Sequence, residues 1–259
     1  MNKIKIQKVN KFFDNNKVLN GICLNITKGK SLVIIGPSGS GKTVLLKTIV
    51  GLLTPDNGNI VIDGMKINNL STDERFKVMN KCGFLFQNGG LFDSLTVQDN
   101  ITFLAEKLYN LSKKEKEELA INKLASVNLP DWVSSLYPSE LSGGMKKRVG
   151  IARAICTKPE LLFFDDPTSG LDPILTNLIG ELIIKIHQSY NPTIITVTHN
   201  MKIVDKIADE IAFIYAGRVL WKGQKTQINS TNNASLHQFI HGQTTGRLYS
   251  DELKTLVKK

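Results

Sequence analysis

The sequence predicts an α/β fold in which a parallel sheet is joined to a small antiparallel sheet and interrupted by a wholly helical stretch. Three patterns carry this reading. The apolar runs at residues 31–35, 161–165 and 193–197 have the length and composition of strands buried on both faces, as at the centre of a parallel sheet. Residues 3–35 and 59–64 alternate or double back like antiparallel strands. Between about 88 and 157 the strand pattern stops and helical periodicity replaces it.

The first strands are expected within 3–35, broken by the turn Asp14-Asn15-Asn16. The run Ser31-Leu32-Val33-Ile34-Ile35 leads into Gly36-Pro37-Ser38-Gly39-Ser40-Gly41-Lys42-Thr43, which fits G-x-x-x-x-G-K-[ST], and residues 44–50 continue as an apolar-faced helix. In a strand, glycine loop and helix of this kind, backbone N–H groups wrap a triphosphate. Lys42 then reaches the outer phosphates and the Thr43 hydroxyl reaches Mg2+. Pro55-Asp56-Asn57-Gly58 is expected to end that helix, and Asn59-Ile60-Val61-Ile62-Asp63-Gly64 to begin a hairpin. Ser71-Thr72-Asp73-Glu74 reads as a capping box opening a short helix. A strand over 83–86 follows, and Gln87 after it offers an amide oxygen to a metal or a water.

In the helical stretch, residues 96–109 and 112–127 are amphipathic, the second opened by the box Ser112-Lys113-Lys114-Glu115. Leu141-Ser142-Gly143-Gly144-Met145 then starts another helix and presents a second cluster of terminal N–H groups. The two glycine loops cannot serve one nucleotide together. If each grips a different ATP, two copies of the chain meet face to face with nucleotide between them.

Strand and helix alternate again from 160 to 223, closing in a hairpin through Ala216-Gly217. Leu161-Leu162-Phe163-Phe164-Asp165-Asp166-Pro167 ends in two carboxylates, and ligands of parallel sheets bind at the carboxyl ends of strands. Asp165 is therefore placed to hold Mg2+, directly or through water, and Asp166 to orient an attacking water. His199, at the end of Thr193-Ile194-Ile195-Thr196-Val197-Thr198, is placed to reach the terminal phosphate from the same surface. After Gln224 the pattern weakens through the polar linker 229–233 to one short helix at 234–241, with little core-forming capacity beyond it.

Size and charge bound the rest. The 259 residues, 41% of them hydrophobic, suit one large α/β domain or a core with an inserted subdomain. No run approaches the roughly eighteen apolar residues of a membrane span, and Met1-Asn2-Lys3-Ile4-Lys5-Ile6 lacks a signal-peptide core. The expectation is a cytosolic protein, or one attached to a membrane through others. Cys23, Cys82 and Cys156 are scattered without metal or disulfide spacing. His237 and His241 stand one helical turn apart but lack a third ligand, and read as surface residues. The net charge of +10 favours phosphates of any source. Its lysines, including Lys254, Lys258 and Lys259, form no aromatic-interleaved stripe, so no nucleic acid is expected.

Over about residues 4 to 225 these residues and their order resemble the ATP-binding subunits of ABC transporters. In that family's terms Gly36 to Thr43 is the Walker A loop, Gln87 the Q-loop glutamine and Leu141 to Met145 the signature. Asp165 is similar to the Walker B aspartate, Ser169-Gly170-Leu171-Asp172 to the D-loop and His199 to the switch histidine. Phe13 matches the aromatic that stacks on adenine, with neighbouring Phe12 leaving the register open. The resemblance implies a P-loop NTPase (RecA-like) core over 1–87 and 158–224 with its antiparallel subdomain. It further implies an α-helical subdomain over 88–157 and a C-terminal extension over 225–259. ATP and Mg2+ would be its cofactors, with Asp172 beside the nucleotide. A second copy of the chain, integral membrane permease subunits and a small regulatory subunit would be its partners. The place would be the cytoplasmic face of the inner membrane.

Within the family the likeness is to the Mla/Mce-associated ATPases of lipid transport. It rests on residues 84–97, on Met145 where many importers carry glutamine, on Lys146-Lys147-Arg148, on Asp172-Pro173-Ile174 and on Thr245-Gly246-Arg247-Leu248. One position departs from the family: Asp166 stands where glutamate is usual, which withdraws the carboxylate by roughly an ångström. An importer for another solute, such as an amino acid or a metal, is the alternative, because the cargo never touches the catalytic surface. A soluble ABC ATPase acting on nucleic acid is a further one, against which the chain shows no fused second ATPase half, zinc module or long coiled coil.

Overall fold

The computed structural model describes residues 1–248. The chain begins with the hairpin β1 (Asn2–Phe13) and β2 (Asn16–Thr27), then enters the core through β3 (Ser31–Ile35) and α1 (Lys42–Ile49). The short strands β4 (Asn57–Ile62) and β5 (Met65–Lys66) follow, then α2 (Thr72–Met79) and β6 (Cys82–Leu85). Next come α3 (Val97–Tyr109), α4 (Lys113–Ser126) and α5 (Gly143–Ala154). The chain then forms β7 (Leu161–Asp165), α6 (Pro173–Tyr190), β8 (Thr193–Val197), α7 (Met201–Ile207), β9 (Glu210–Tyr215), β10 (Arg218–Gln224) and α8 (Ala234–Ile240).

The strands form a four-stranded sheet, β2-β1-β4-β5, and a six-stranded sheet, β10-β9-β3-β8-β7-β6. The first is antiparallel throughout. In the second, β9, β3, β8, β7 and β6 run parallel, and β10 turns back on β9. Both predicted hairpins close as expected: Asp63-Gly64 and Ala216-Gly217 each take positive φ at both positions, the turn that matches strand twist.

Each central strand is buried on both faces, so consecutive side chains enter opposite cores. Leu32, Ile34, Leu161 and Phe163 pack with the antiparallel sheet and α1. Val33, Ile35, Leu162 and Phe164 pack on the other side, with Val97 and Ile101 of α3, Val149 and Ile151 of α5, and Ile179 and Ile183 of α6. The helical stretch thus shares its buried apolar residues with the sheet. Its helices begin where the sequence places them. Thr96 and Ser142 cap α3 and α5, and Ser71 and Ser112 close reciprocal boxes with Glu74 and Glu115.

One expectation is corrected. Helix α1 does not run to Pro55; it ends at Ile49, where Gly51 (φ 76°) turns the chain and Leu52 N–H bonds back to the Lys47 carbonyl at 2.9 Å. Past Gln224, where the sequence pattern weakens, the chain still reaches the core. Ile228 and Leu236 are buried in the larger core, and the Phe239 ring lies 5.6 Å from that of Phe213. His237 and His241 stack on each other, ring centroids 5.8 Å apart, with no metal cluster among the described residues. Lys254, Lys258 and Lys259 lie outside the described residues. Among the described residues no helix is long and apolar enough to cross a membrane.

Candidate functional site

The sheet order brings the sequence-predicted residues together. Strands β3, β8, β7 and β6 are consecutive neighbours, and at their carboxyl ends stand the Gly36–Thr43 loop, His199, Asp165 with Asp166, and Gln87.

The first loop is held by its own chain. Gly36 (φ 152°) passes so close to β9 that a Cβ there would lie 2.1 Å from the Ile214 carbonyl oxygen. A Cβ on Gly41 (φ 97°) would lie 2.9 Å from the Val18 carbonyl oxygen. Nothing lies within 4 Å of a Cβ built on Gly39 (φ 73°), at the outer bend. Ser38 and Gly39 are exposed, while Ser40 and Gly41 are buried. Pro37 precedes them, half-buried, and its carbonyl accepts from Lys42 Nζ at 2.7 Å, beside the Gly36 carbonyl at 2.8 Å. Burial lowers the pKa of Lys42, against the pull of Asp166 and Asp165.

Beneath the loop, the Thr43 hydroxyl donates to Asp165 Oδ1 at 2.9 Å. Asp165 is 3% exposed, and burial raises its pKa although the Thr43 bond opposes this. Two hard oxygen donors converge here, and no group of three or more His, Cys, Asp or Glu side chains gathers anywhere among the described residues. That set fits Mg2+, which takes one or two protein oxygens and completes its shell with phosphate and water.

Asp166 is fixed on every side. Its φ of 46° is left-handed, uncommon outside glycine. Its N–H donates to the Val197 carbonyl at 2.8 Å. Its Oδ2 lies 2.8 Å from His199 Nδ1, and its Oδ1 accepts from the Thr198 hydroxyl at 3.2 Å. The Asp166 side chain is largely covered, whereas that of His199 is 66% exposed.

The second glycine loop has a different setting. Ser142 and Gly143 are exposed at the tip of α5, where Ser142 Oγ accepts from Met145 N–H at 3.2 Å. A Cβ on Gly143 would meet nothing within 4 Å, and one on Gly144 would meet Leu175 Cδ1 at 2.8 Å.

Other predicted residues are less closely engaged. The Gln87 side chain is exposed. Phe12 and Phe13, 37% and 43% exposed, sit at the tip of the first hairpin with Lys17 and Lys11 over their rings. Asp172 uses its carboxylate to cap α6, accepting from Ile174 and Leu175 N–H at 2.8 and 2.9 Å. Sequence reasoning missed three residues: Thr198, Lys147 and Arg153. Arg153 clamps the carbonyls of Gly90 and Gly89 at 2.7 and 3.1 Å, three and two residues after Gln87. Lys147 falls on the stripe 144-147-151-154 that α5 buries, and that periodicity was the available signal.

The family model described as ABC transporter matches residues 19–169, more than half of the chain, and an AAA domain model matches residues 134–205. The chain is 38% identical to the glutamine transport ATP-binding protein GlnQ of Escherichia coli over 92% of this chain and 98% of that protein. It is also 38% identical to the intermembrane phospholipid transport system ATP-binding protein MlaF of Haemophilus influenzae, over 88% of this chain and 86% of that protein. Its fold superposes with a TM-score of 0.80 on a solved dimeric ATP-binding cassette in a post-hydrolysis state bound to ADP and Pi. That cassette is 31% identical to it, over 85% of this chain and 98% of the other. With the glycine loops, the carboxylates and the histidine in this order, the chain belongs to the ATP-binding subunits of the ABC transporter family, which bind ATP with Mg2+ and hydrolyse it.

Proposed function

We propose that this chain energises a membrane lipid transporter as a homodimer with separate permease subunits, peripheral on the cytoplasmic face of the membrane. The observation that carries the dimer is the exposed tip of α5, where a Cβ on Gly143 would meet nothing of its own chain within 4 Å. A second protomer's nucleotide would complete that surface. Each composite site would join the Gly36–Thr43 loop of one protomer to the Ser142-Gly143-Gly144 tip of the other.

In this reading the reaction is phosphoryl transfer from ATP to water, driven by positioning and charge stabilisation. Backbone N–H groups of the first loop and Lys42 hold the phosphates. Thr43, Asp165 and the Gln87 amide would hold Mg2+, which would supply charge neutralisation. Asp166 orients the attacking water, and its bond to His199 Nδ1 fixes the ring for the terminal phosphate. The water's oxygen bonds to the γ-phosphorus as the bond to the β,γ-bridging oxygen breaks, releasing ADP and phosphate. Phe13 stacks on adenine, and Asp172 approaches from the D-loop. Gln87, beside the helical stretch, relays occupancy to the permease.

The lipid reading is supported by the identity to MlaF and by Met145 in the signature. Equal identity to GlnQ supports the second reading, an amino acid importer. Native detergent extraction tests both. A co-purifying permease with a lipid-binding Mce-domain companion, and ATPase stimulated on reconstitution into phospholipid vesicles, is the expected result. Stimulation by glutamine through a solute-binding protein would favour the importer. An Asp166→Asn protein that stays strictly monomeric in Mg·ATP beside its membrane partners would remove the proposed machine altogether.

A further inference from the structure

Lys147 is 5% exposed on α5, and its side chain bonds to nothing on its own helix. Its Nζ donates to the Gln87 carbonyl, to the Asp166 carbonyl at 3.1 Å and to the Ser169 hydroxyl at 3.1 Å. An ammonium has three N–H donors, and three oxygens from two distant loops receive them. The two carbonyls belong to the main chain of residues whose side chains the preceding reading assigns to metal and water. Lys147 leaves both side chains free and grips the backbone that aims them. Burial lowers its pKa, while Asp166 and Asp165 act to keep it charged.

We propose that Lys147 is a positioning residue. It ties Gln87 and Asp166 to the signature helix, so that seating the Ser142-Gly143-Gly144 tip on a partner's nucleotide sets the geometry of the chain's own hydrolytic loops. Lys147 stands about one helical turn behind that tip. A rigid turn of α5 therefore moves the tip and the ammonium together, and the ammonium carries both loops with it. The inference rests on the catalytic assignment of Gln87 and Asp166.

The test compares Lys147→Met, Lys147→Gln and Lys147→Arg with Asp166→Asn in the purified full chain. Lys147→Met is expected to keep Mg-free ATP affinity within about twofold and to dimerise in Mg·ATP, while kcat falls by about tenfold or more, as misplacement of aligned groups does. Glutamine has two donors and no charge, so Lys147→Gln should lose about fivefold in kcat, and Lys147→Arg should recover most of the rate. Wild-type kcat in Lys147→Met, or ATP affinity and kcat falling together, overturns the proposal. If Lys147→Met shows no cooperative unfolding transition, Lys147→Gln decides by the same criteria. An active Asp166→Asn means that the catalytic assignment itself fails. An inactive Asp166→Asn beside Lys147 variants of wild-type rate leaves that assignment standing and removes only Lys147.

Discussion

The two glycine-rich loops of this molecule are built to opposite standards. Gly36 and Gly41 are wedged against carbonyls of Ile214 and Val18, and Lys42 folds back on the loop's own carbonyls. The Ser142-Gly143-Gly144 tip is packed on one side only, by Leu175 against Gly144, and Gly143 faces open space. One loop is finished by the chain that carries it; the other would, on the proposed function, be finished by a second protomer's nucleotide. The glycines accordingly answer different demands. Gly36 and Gly41 relieve collisions within the fold, whereas Gly39 at the outer bend and Gly143 meet nothing of the chain within 4 Å.

The largest effect expected from this contrast is at Gly36. Gly36→Ala places a methyl on the Ile214 carbonyl in a left-handed backbone, so stability should fall by about 2 kcal/mol or more, with ATP affinity down about a hundredfold. Thermal unfolding and equilibrium ATP binding check this. Gly143→Ala should change stability by only about 0.5 kcal/mol, because nothing is displaced. ATP binding to the monomer should hold, and turnover should fall about tenfold as the methyl intrudes on the partner's phosphates. An unaltered rate would mean that the open face is plain solvent.

Asp166→Asn should abolish most ATPase activity, and Asp166→Glu should retain or raise it; equal rates in Asn and wild type would take Asp166 out of its role.

Under the first loop, Asp165 sharpens the contrast through pH. Its pKa is raised by burial, so the folded state prefers it protonated, and stability is lost as pH rises through that raised value. Asp165→Asn should therefore be more stable than wild type without Mg2+ at neutral pH, with the gain shrinking toward acid, yet fail to hydrolyse ATP. Chemical denaturation across pH 4–8 reads the sign. The smallest effect is at Ser142, whose hydroxyl caps α5: Ser142→Ala should cost about 1 kcal/mol, measured by denaturant unfolding.

Most of what local rules govern was legible in the sequence. The strand, loop and helix around Lys42, the boxes at Ser71 and Ser112, and both hairpin turns are short-range devices whose residues state their own conformation. The row of site residues was legible because each follows an apolar strand. Contacts between distant segments were not. The early end of α1 depends on Gly51 accepting a positive φ, a choice that Leu52 and Leu53 do not announce. Asp172 before Pro173 is a local cap signature that its likeness to the D-loop aspartate overshadowed. Ile228 and Leu236 join the core across a polar linker that reads as an exit from the fold. Lys147 is the sharpest case: the stripe 144-147-151-154 turns it inward, but only two remote loops determine which oxygens it meets.

The row of groups along β3, β8, β7 and β6 has a stiff end and a compliant one. β3 lies between two strands and is roofed by both cores, whereas β6 is four residues long, at the sheet's margin, paired with β7 alone among the described strands. With neighbouring strands about 4.8 Å apart, the ends of the row stand about 14 Å from each other. On the proposed function, a push at the margin would swing Gln87 while the Gly36–Thr43 loop keeps its shape, so that a membrane partner would sense the nucleotide without prising it loose.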